Sequence, residues 1–343
     1  MNYDQLKQIA NSMVQKGKGI LAADESTPTC TKRFENLGIE STSLSRNVYR
    51  DMLFTTSGIE EFISGVILFD ETLRQSTLLD GILYPQYLNS KGIIPGIKVD
   101  CGAKNFALHS GEKITEGLDG LRERLIEYYD LGARFAKWRA VITIGDGIPT
   151  NACIHANAHA LARYAALCQE SGLVPIVEPE VLMDGDHDVK VCHNVSKKTF
   201  KHVFEELDKQ EVYLEGIVLK PNMIVSGMEC SVKAPMEEVV ERTVECLNET
   251  VPAKVSGCAF LSGGQSNEDA SAHLNMMNSR YGESLPWNLT FSYGRALQSS
   301  ALHEWNGKKE NISLAQSAFY QRSKLNGKAT MGNYSEDLEM DIA

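Results

Sequence analysis

The chain has 343 residues, of which 43% are apolar and 23% charged, an ordinary globular balance rather than a disordered one. A formal net charge of -11 argues against a general nucleic-acid surface, though not against a local cationic pocket for an anionic metabolite. The opening run Met1-Asn2-Tyr3-Asp4-Gln5-Leu6-Lys7 lacks a basic region followed by an apolar one, and the longest apolar runs are strand-length, so the expectation is a cytoplasmic protein with no secretory signal and no membrane partner.

Residues 4–17 read as a helix leading into the turn Gly17-Lys18-Gly19. Eight strand candidates follow: Gly19–Asp24, Gly65–Phe69, Pro95–Val99, Phe135–Ile142, Val174–Glu178, Gly216–Leu219, Lys254–Phe260 and Leu289–Ser292. Helical periodicity lies between them. Leu118, Leu121, Leu125 and Ile126 form an apolar stripe before the fourth strand, and Ala156–Gln169 does so before the fifth. Val191–Leu207, Met236–Leu247 and Glu268–Asn278 precede the sixth, seventh and eighth. Helices around Ala296–Trp305 and Ile312–Leu325 close the chain, and the Gly-, Asn- and acid-rich stretch 326–343 reads as an extended or mobile tail.

Strands alternating with helices imply a parallel sheet, and eight of them favour a closed (β/α)8, TIM-type barrel over an open sheet. No strand is followed by Gly-x-Gly-x-x-Gly, so the dinucleotide-binding version loses its usual support and no cofactor is expected. No linker divides the chain, so residues 1–343 are taken as one barrel domain with an extra N-terminal helix and a C-terminal helical segment. In such a barrel the active site lies at the C-terminal strand ends. That rule selects Asp24, Asp70, Lys98, Asp100, Lys137, Arg139, Glu178, Glu180, Lys220, Ser262, Ser292 and Arg295.

Lys220 ends the apolar run Gly216-Ile217-Val218-Leu219, and a buried ammonium must be paired or lose its proton. A neutral lysine is a nucleophile toward carbonyls. An amine catalyst also needs a carboxylate to move protons on the departing carbinolamine oxygen and a base for the hydroxyl beside the bond that breaks. Glu178 and Asp24 meet those needs if the first, fifth and sixth strands bring their ends together. A second ammonium, Lys137, would favour the neutral amine by like-charge repulsion and keep nearby carboxylates ionised. The plainer readings are a lysine snorkelling to water, a solvated Glu178–Glu180 strand end, and Asp24, Glu25 and Ser26 capping a following helix.

Gly-rich strand ends, Ser262-Gly263-Gly264 and Ser292-Tyr293-Gly294-Arg295, suit a phosphate held on backbone N–H groups after the seventh and eighth strands. Lys98 and Arg139 would hold a second anion at the opposite edge, so a keto-sugar flanked by two phosphates is the implied substrate. Metal candidates are weak. His155 and His159 lack the glutamate of the metalloprotease pattern, and Asp184-Gly185-Asp186-His187-Asp188 lacks calcium-loop spacing, so no metal is expected. None of the 8 cysteines falls in a Cys-x-x-Cys pair; Cys153, Cys168, Cys192 and Cys246 lie in helix-like segments and suit a reduced, structural role.

At this point the chain resembles the class I, Schiff-base-forming fructose-1,6-bisphosphate aldolases over nearly its whole length. The resemblance rests on Gly19-Ile20-Leu21-Ala22-Ala23-Asp24-Glu25-Ser26, Gly96-Ile97-Lys98-Val99-Asp100, Ala136-Lys137-Trp138-Arg139, Ile176-Val177-Glu178-Pro179-Glu180, Leu219-Lys220-Pro221-Asn222-Met223, Phe260-Leu261-Ser262-Gly263-Gly264-Gln265 and Ser292-Tyr293-Gly294-Arg295. It implies a Schiff base on Lys220, proton transfer by Glu178 and Asp24, and support from Lys137 and Glu180. Ser262, Gly263, Ser292, Gly294 and Arg295 then hold the ketone-side phosphate, while Ser26, Thr29, Lys98 and Arg139 hold the rest of the sugar bisphosphate. It also implies a metal-free, usually tetrameric enzyme that cleaves fructose 1,6-bisphosphate reversibly in glycolysis and gluconeogenesis.

Three departures from the animal pattern stand out. Thr29 replaces a serine, Cys101 replaces a lysine, and the chain ends Met340-Asp341-Ile342-Ala343 where animal members end in a tyrosine that assists proton exchange; the last tyrosine here is Tyr334. The enzyme alternatives are a transaldolase or keto-acid aldolase on the same barrel, which would lack the second phosphate site. A non-enzymatic scaffold would leave Lys220 and Glu178 pointing away from a common cavity.

Overall fold

The computed structural model describes residues 2–339. Eight parallel strands form a closed barrel: β1 (Gly19–Ala23), β2 (Ile63–Leu68), β3 (Ile94–Lys98), β4 (Phe135–Ile142), β5 (Val174–Val181), β6 (Val218–Leu219), β7 (Gly257–Phe260) and β8 (Asn288–Tyr293). Each strand pairs with the next, and β8 returns to β1 with Ile20 opposite Ser292 and Leu21 opposite Tyr293. All eight expected strands are present. The fifth runs past Glu178 to Val181, while the sixth is shortened because Leu214–Gly216 forms a 3-10 turn.

Strand alternation decides what the barrel interior contains. The lower inward positions are apolar: Ile20, Ala22, Ile67, Phe135, Val174, Ile176, Val218 and Ala259 form one cluster. Helix Tyr3–Met13 plugs the barrel floor, adding Leu6, Ala10 and Met13 to that cluster. Two residues further along the same strands, the inward positions turn charged: Asp24 after Ala22, Lys137 and Arg139 after Phe135, Glu178 and Glu180 after Ile176, and Lys220 after Val218. An apolar floor therefore carries an ionic upper layer. Trp138 lies on the opposite face of β4 from Lys137 and packs, fully buried, against Tyr164 of helix Asn151–Glu170.

Helices with apolar faces seal the outside of the barrel, and each fully buried Leu or Ile contributes about 1.5–3 kcal/mol relative to exposure. The expected helices appear as Leu121–Asp130, Asn151–Glu170, Val189–Lys209, Met236–Thr250, Asn267–Tyr281, Arg295–Trp305 and Ile312–Ala329. Thr27–Glu35 is the helix that the capping reading placed after Ser26, whereas helices Ser43–Phe54 and Tyr84–Ser90 and a hairpin of Ala103–Asn105 with Lys113–Thr115 were not anticipated.

Two expectations need correction. Asp70 does not reach the barrel mouth: it opens helix Asp70–Leu73, where its carboxylate lies 3.0 Å from Arg74, because the apolar run of β2 ends at Leu68 and the chain turns outward. The stretch from Asn326 is not extended. Helix Ile312–Ala329 continues through it, Asn326 is fully buried, and the following segment folds back so that Tyr334 is buried with its hydroxyl donating to Glu339 at 2.8 Å. Buried Arg322 pairs with the same carboxylate, so an internal charge draws this polar segment down. Residues 340–343, also assigned to the tail, lie outside the described residues.

Candidate active site

The C-terminal ends of the strands surround a cavity of about 400 Å³. Apart from Asp70, every residue expected at the site lines it: Asp24, Ser26, Thr29, Lys98, Asp100, Lys137, Arg139, Glu178, Glu180, Lys220, Ser262, Gly263, Ser292, Gly294 and Arg295.

At its base the side chains form a linear ionic chain. Lys220 Nζ lies 3.1 Å from Glu178 Oε1, Glu178 Oε2 lies 3.1 Å from Lys137 Nζ, and Lys137 Nζ donates to Asp24 Oδ2 at 2.9 Å. All four are buried, with Lys220 only 4% exposed, so the snorkelling reading fails. Pairing meets the cost of placing these charges above an apolar floor. Burial alone would push Asp24 up, but Lys137 and Lys220 outweigh it and hold its carboxyl well below the usual range. Burial likewise opposes the Lys137 ammonium, and Asp24 and Glu178 overcome it, raising that lysine. The site thus offers a fixed cation in the middle, a carboxylate shared between two lysines, and an ionised carboxylate at the far end.

One side of the mouth is cationic and braced. Lys98 Nζ donates to Asp100 Oδ1 at 2.6 Å, and the other Asp100 oxygen accepts the Arg139 N–H at 3.3 Å. Arg139 pairs with Glu180. On the opposite side, the Arg295 guanidinium donates to the Gly263 carbonyl at 3.2 Å and to that of Gln265, tying the ends of β7 and β8 together. Gly263 has φ +53°, a left-handed conformation that glycine adopts without strain. Ser292 Oγ is buried here with no hydrogen-bond partner among the described residues, and Ser292 lines the cavity.

Ser26 is the N-cap residue of helix Thr27–Glu35, and its hydroxyl sits 3.1 Å from that of Thr29. Asp24 does not cap that helix; its side chain goes to Lys137. Sequence reasoning missed two charged lining residues, Glu25 and Arg33, which pair with each other. Buried Arg50 holds Glu25 at 2.8 Å and donates to the Ala23 carbonyl at 2.9 Å, bracing the end of β1. The available signal was spacing: Ser26, Thr29 and Arg33 fall on one face of the helix that Ser26 opens. The other motifs lie elsewhere. His159 faces Glu206 at 2.9 Å on the outer helices, and Asp188 caps helix Val189–Lys209. All eight cysteines are free.

A family model described as fructose-bisphosphate aldolase class-I matches residues 5–343. The chain is 55% identical over 335 residues to a probable fructose-bisphosphate aldolase class 1 of Xanthomonas campestris pv. campestris, covering 97% of this chain and 99% of that protein. It is 50% identical over 324 residues to the cytosolic fructose-bisphosphate aldolase 4 of Arabidopsis thaliana, covering 94% and 82% respectively. A solved structure of the Plasmodium falciparum fructose-bisphosphate aldolase, in complex with TRAP and a small-molecule inhibitor, superposes with a TM-score of 0.94 at 51% identity, covering 97% of this chain and 96% of that one.

Proposed function

The chain belongs to the class I fructose-bisphosphate aldolase family, and from that premise we propose that its reversible aldol cleavage of fructose 1,6-bisphosphate runs through Lys220, Glu178, Lys137 and Asp24. The observation that carries this assignment is the ionic chain linking those four side chains at 2.9–3.1 Å at the base of the cavity. Glu178 takes a proton from the Lys220 ammonium, and the freed amine attacks the ketone carbon. The carbinolamine oxygen then takes protons back through Glu178 and leaves as water, giving an iminium. Asp24, kept ionised by Lys137, removes the proton of the hydroxyl beside the scissile carbon–carbon bond. The bonding pair moves into the iminium, the aldehyde product departs, and an enamine remains on Lys220. Reprotonation and hydrolysis release dihydroxyacetone phosphate. Lys137 stays cationic throughout and stabilises charge on both carboxylates.

Ser262, Gly263, Ser292, Gly294 and Arg295 provide hydroxyls, backbone N–H groups and a guanidinium for the ketone-side phosphate. Lys98, Arg139, Ser26 and Thr29 stand on the facing side for the rest of the substrate, and Glu180 orients Arg139. Cations on two sides of the mouth favour a bisphosphate over the single carboxylate of a keto-acid. No helix among the described residues is long and apolar enough to cross a membrane. The cytoplasmic location and homotetramer implied by the resemblance belong to the same proposal.

Borohydride reduction in the presence of dihydroxyacetone phosphate tests the core of it. One reduced adduct on Lys220 and loss of activity are expected, with the untreated enzyme insensitive to EDTA. An adduct on another lysine, or activity removed by EDTA and restored by zinc, overturns the assignment.

A further inference from the structure

The loop after β7 is backed by sulfur. Met183 follows β5 and Met228 lies in the loop after β6; the two loops are zipped together, the Met228 N–H donating to the Met183 carbonyl at 2.7 Å and the Glu229 N–H to that of Gly185 at 2.9 Å. Both thioethers press on the turn Gly263-Gly264. A Cβ built on Gly263 would fall 2.9 Å from Met183 Sδ, and one on Gly264 would fall 2.7 Å from Met228 Sδ and 3.1 Å from Met183 Sδ. The Gly264 N–H is directed at Met183 Sδ. Gly263 lines the cavity and its carbonyl accepts from Arg295. Solvent reaches these sulfurs' side chains: Met228 is half exposed and Met183 partly so, whereas neighbouring Met223, which accepts a contact from Gln265, is buried.

We propose that Met183 and Met228 form a peroxide-sensitive modification site that lowers the affinity of the ketone-side phosphate loop. The inference rests on the assignment of that loop to phosphate made above. Each thioether sulfur attacks a peroxide oxygen. The O–O bond breaks, the attacked oxygen stays on sulfur, which is oxidised by two electrons to a sulfoxide, and the other oxygen leaves as water or alcohol carrying the proton that the transferred oxygen gives up. A sulfoxide oxygen is a strong acceptor with partial negative charge. Against a turn already in contact with both sulfurs, it has no room without displacing Gly263-Gly264, and it engages the Gly264 N–H. Either outcome removes donor capacity from the phosphate loop and sets a negative dipole beside an anion. The Lys220–Glu178–Lys137–Asp24 chain lies inside the barrel on strands other than β7, which carries the displaced turn, and makes no contact with either sulfur among its ion pairs.

The test treats the intact enzyme with hydrogen peroxide, then with dithiothreitol to reverse thiol oxidation, maps sulfoxides by peptide mass spectrometry and measures kinetics. Sulfoxides are expected on Met183 and Met228 and not on Met223. KM for fructose 1,6-bisphosphate and for fructose 1-phosphate should rise about tenfold, the worth of one hydrogen bond to a charged group, with kcat nearly constant. Methionine sulfoxide reductase should reverse the rise. A Met183→Leu/Met228→Leu enzyme, similar in side-chain volume, should resist it. Absence of sulfoxide at both positions, an unchanged KM despite their oxidation, or an equal loss in the double variant overturns the proposal. Untreated Arg295→Ala enzyme separates the two layers of inference. If that change leaves KM for both substrates untouched, the phosphate assignment itself is wrong; if it raises both while oxidation does nothing, only the methionine site fails.

Discussion

Asp24 stands between opposing forces. Burial favours its neutral acid, while the Lys137 ammonium at 2.9 Å and Lys220 favour the carboxylate, and the cations prevail. Its folded-state pKa therefore lies below the unfolded value of about 3.8. The stabilisation from this ion pair is complete above that unfolded value and drains away as pH falls toward the folded one. Compared with an Asp24→Asn enzyme, the wild type should hold its stability difference at neutral pH and lose it progressively below about pH 4. Denaturant unfolding of both proteins across that interval checks the sign. A difference that grows on acidification would show that Asp24 is not held ionised by its neighbours. Asp24 was legible from its place at a strand end. Arg33 was not, because its role depends on a helix whose pattern of threonines and charges gives little apolar periodicity.

Among the elements, β3 shows how packing inside the barrel limits sequence choice. Phe135 on β4 fills the interior beside Gly96 of β3 and Gly65 of β2; a Cβ on Gly65 would approach the ring to 3.1 Å, and one on Gly96 would overlap it. Glycine is required here for close approach, not for its backbone freedom. Gly96→Ala should cost about 1–3 kcal/mol through overpacking. Because Lys98 lies two residues further along the same strand, the change should also weaken substrate binding. Adding Phe135→Leu should recover part of both losses, as chemical denaturation and KM would show. Additive losses in the double variant would mean that the ring is not what the new methyl group meets. The strand itself was readable from its apolar run, but the partner that forbids a side chain at residue 96 lies 39 positions away in sequence and across a strand pairing.

At the scale of the whole molecule, the C-terminal segment is a docked part of the fold. Arg322 donates to Ser271 Oγ at 2.7 Å and to the Asn267 carbonyl at 3.0 Å, on the helix that follows the Gly263-Gly264 turn, and it pairs with Glu339. Thr330 Oγ1 accepts the Gly17 N–H at 2.8 Å, joining the two ends of the described chain. Glu339→Gln removes the counter-charge of a buried guanidinium and should cost about 2–4 kcal/mol, the lower part of the range if water reaches the site. Truncation after Lys328 also removes the Thr330 contact and the buried Tyr334, so it should lower the melting temperature further. Unchanged melting of both variants would show that this segment is not held against the barrel.

The sequence alone determined the order and count of strands, the closed barrel they imply, and which residues end them, because burial on both sheet faces writes each strand as a short apolar run and a charge at its end is conspicuous. It also singled out Lys220, Glu178, Asp24 and Lys137 as catalytic candidates, each a charge at the end of an apolar strand or inside one. Tertiary structure decided the rest. Which carboxylate serves which lysine depends on side chains from β1, β4, β5 and β6 meeting above one apolar floor. That Asp70 turns away while Glu25 and Arg33 turn in depends on where each chain leaves its strand. The polar segment ending at Glu339 looked mobile because its composition offers little apolar surface. It is ordered by Arg322, a buried charge whose demand for a partner appears only once the helices around it are assembled.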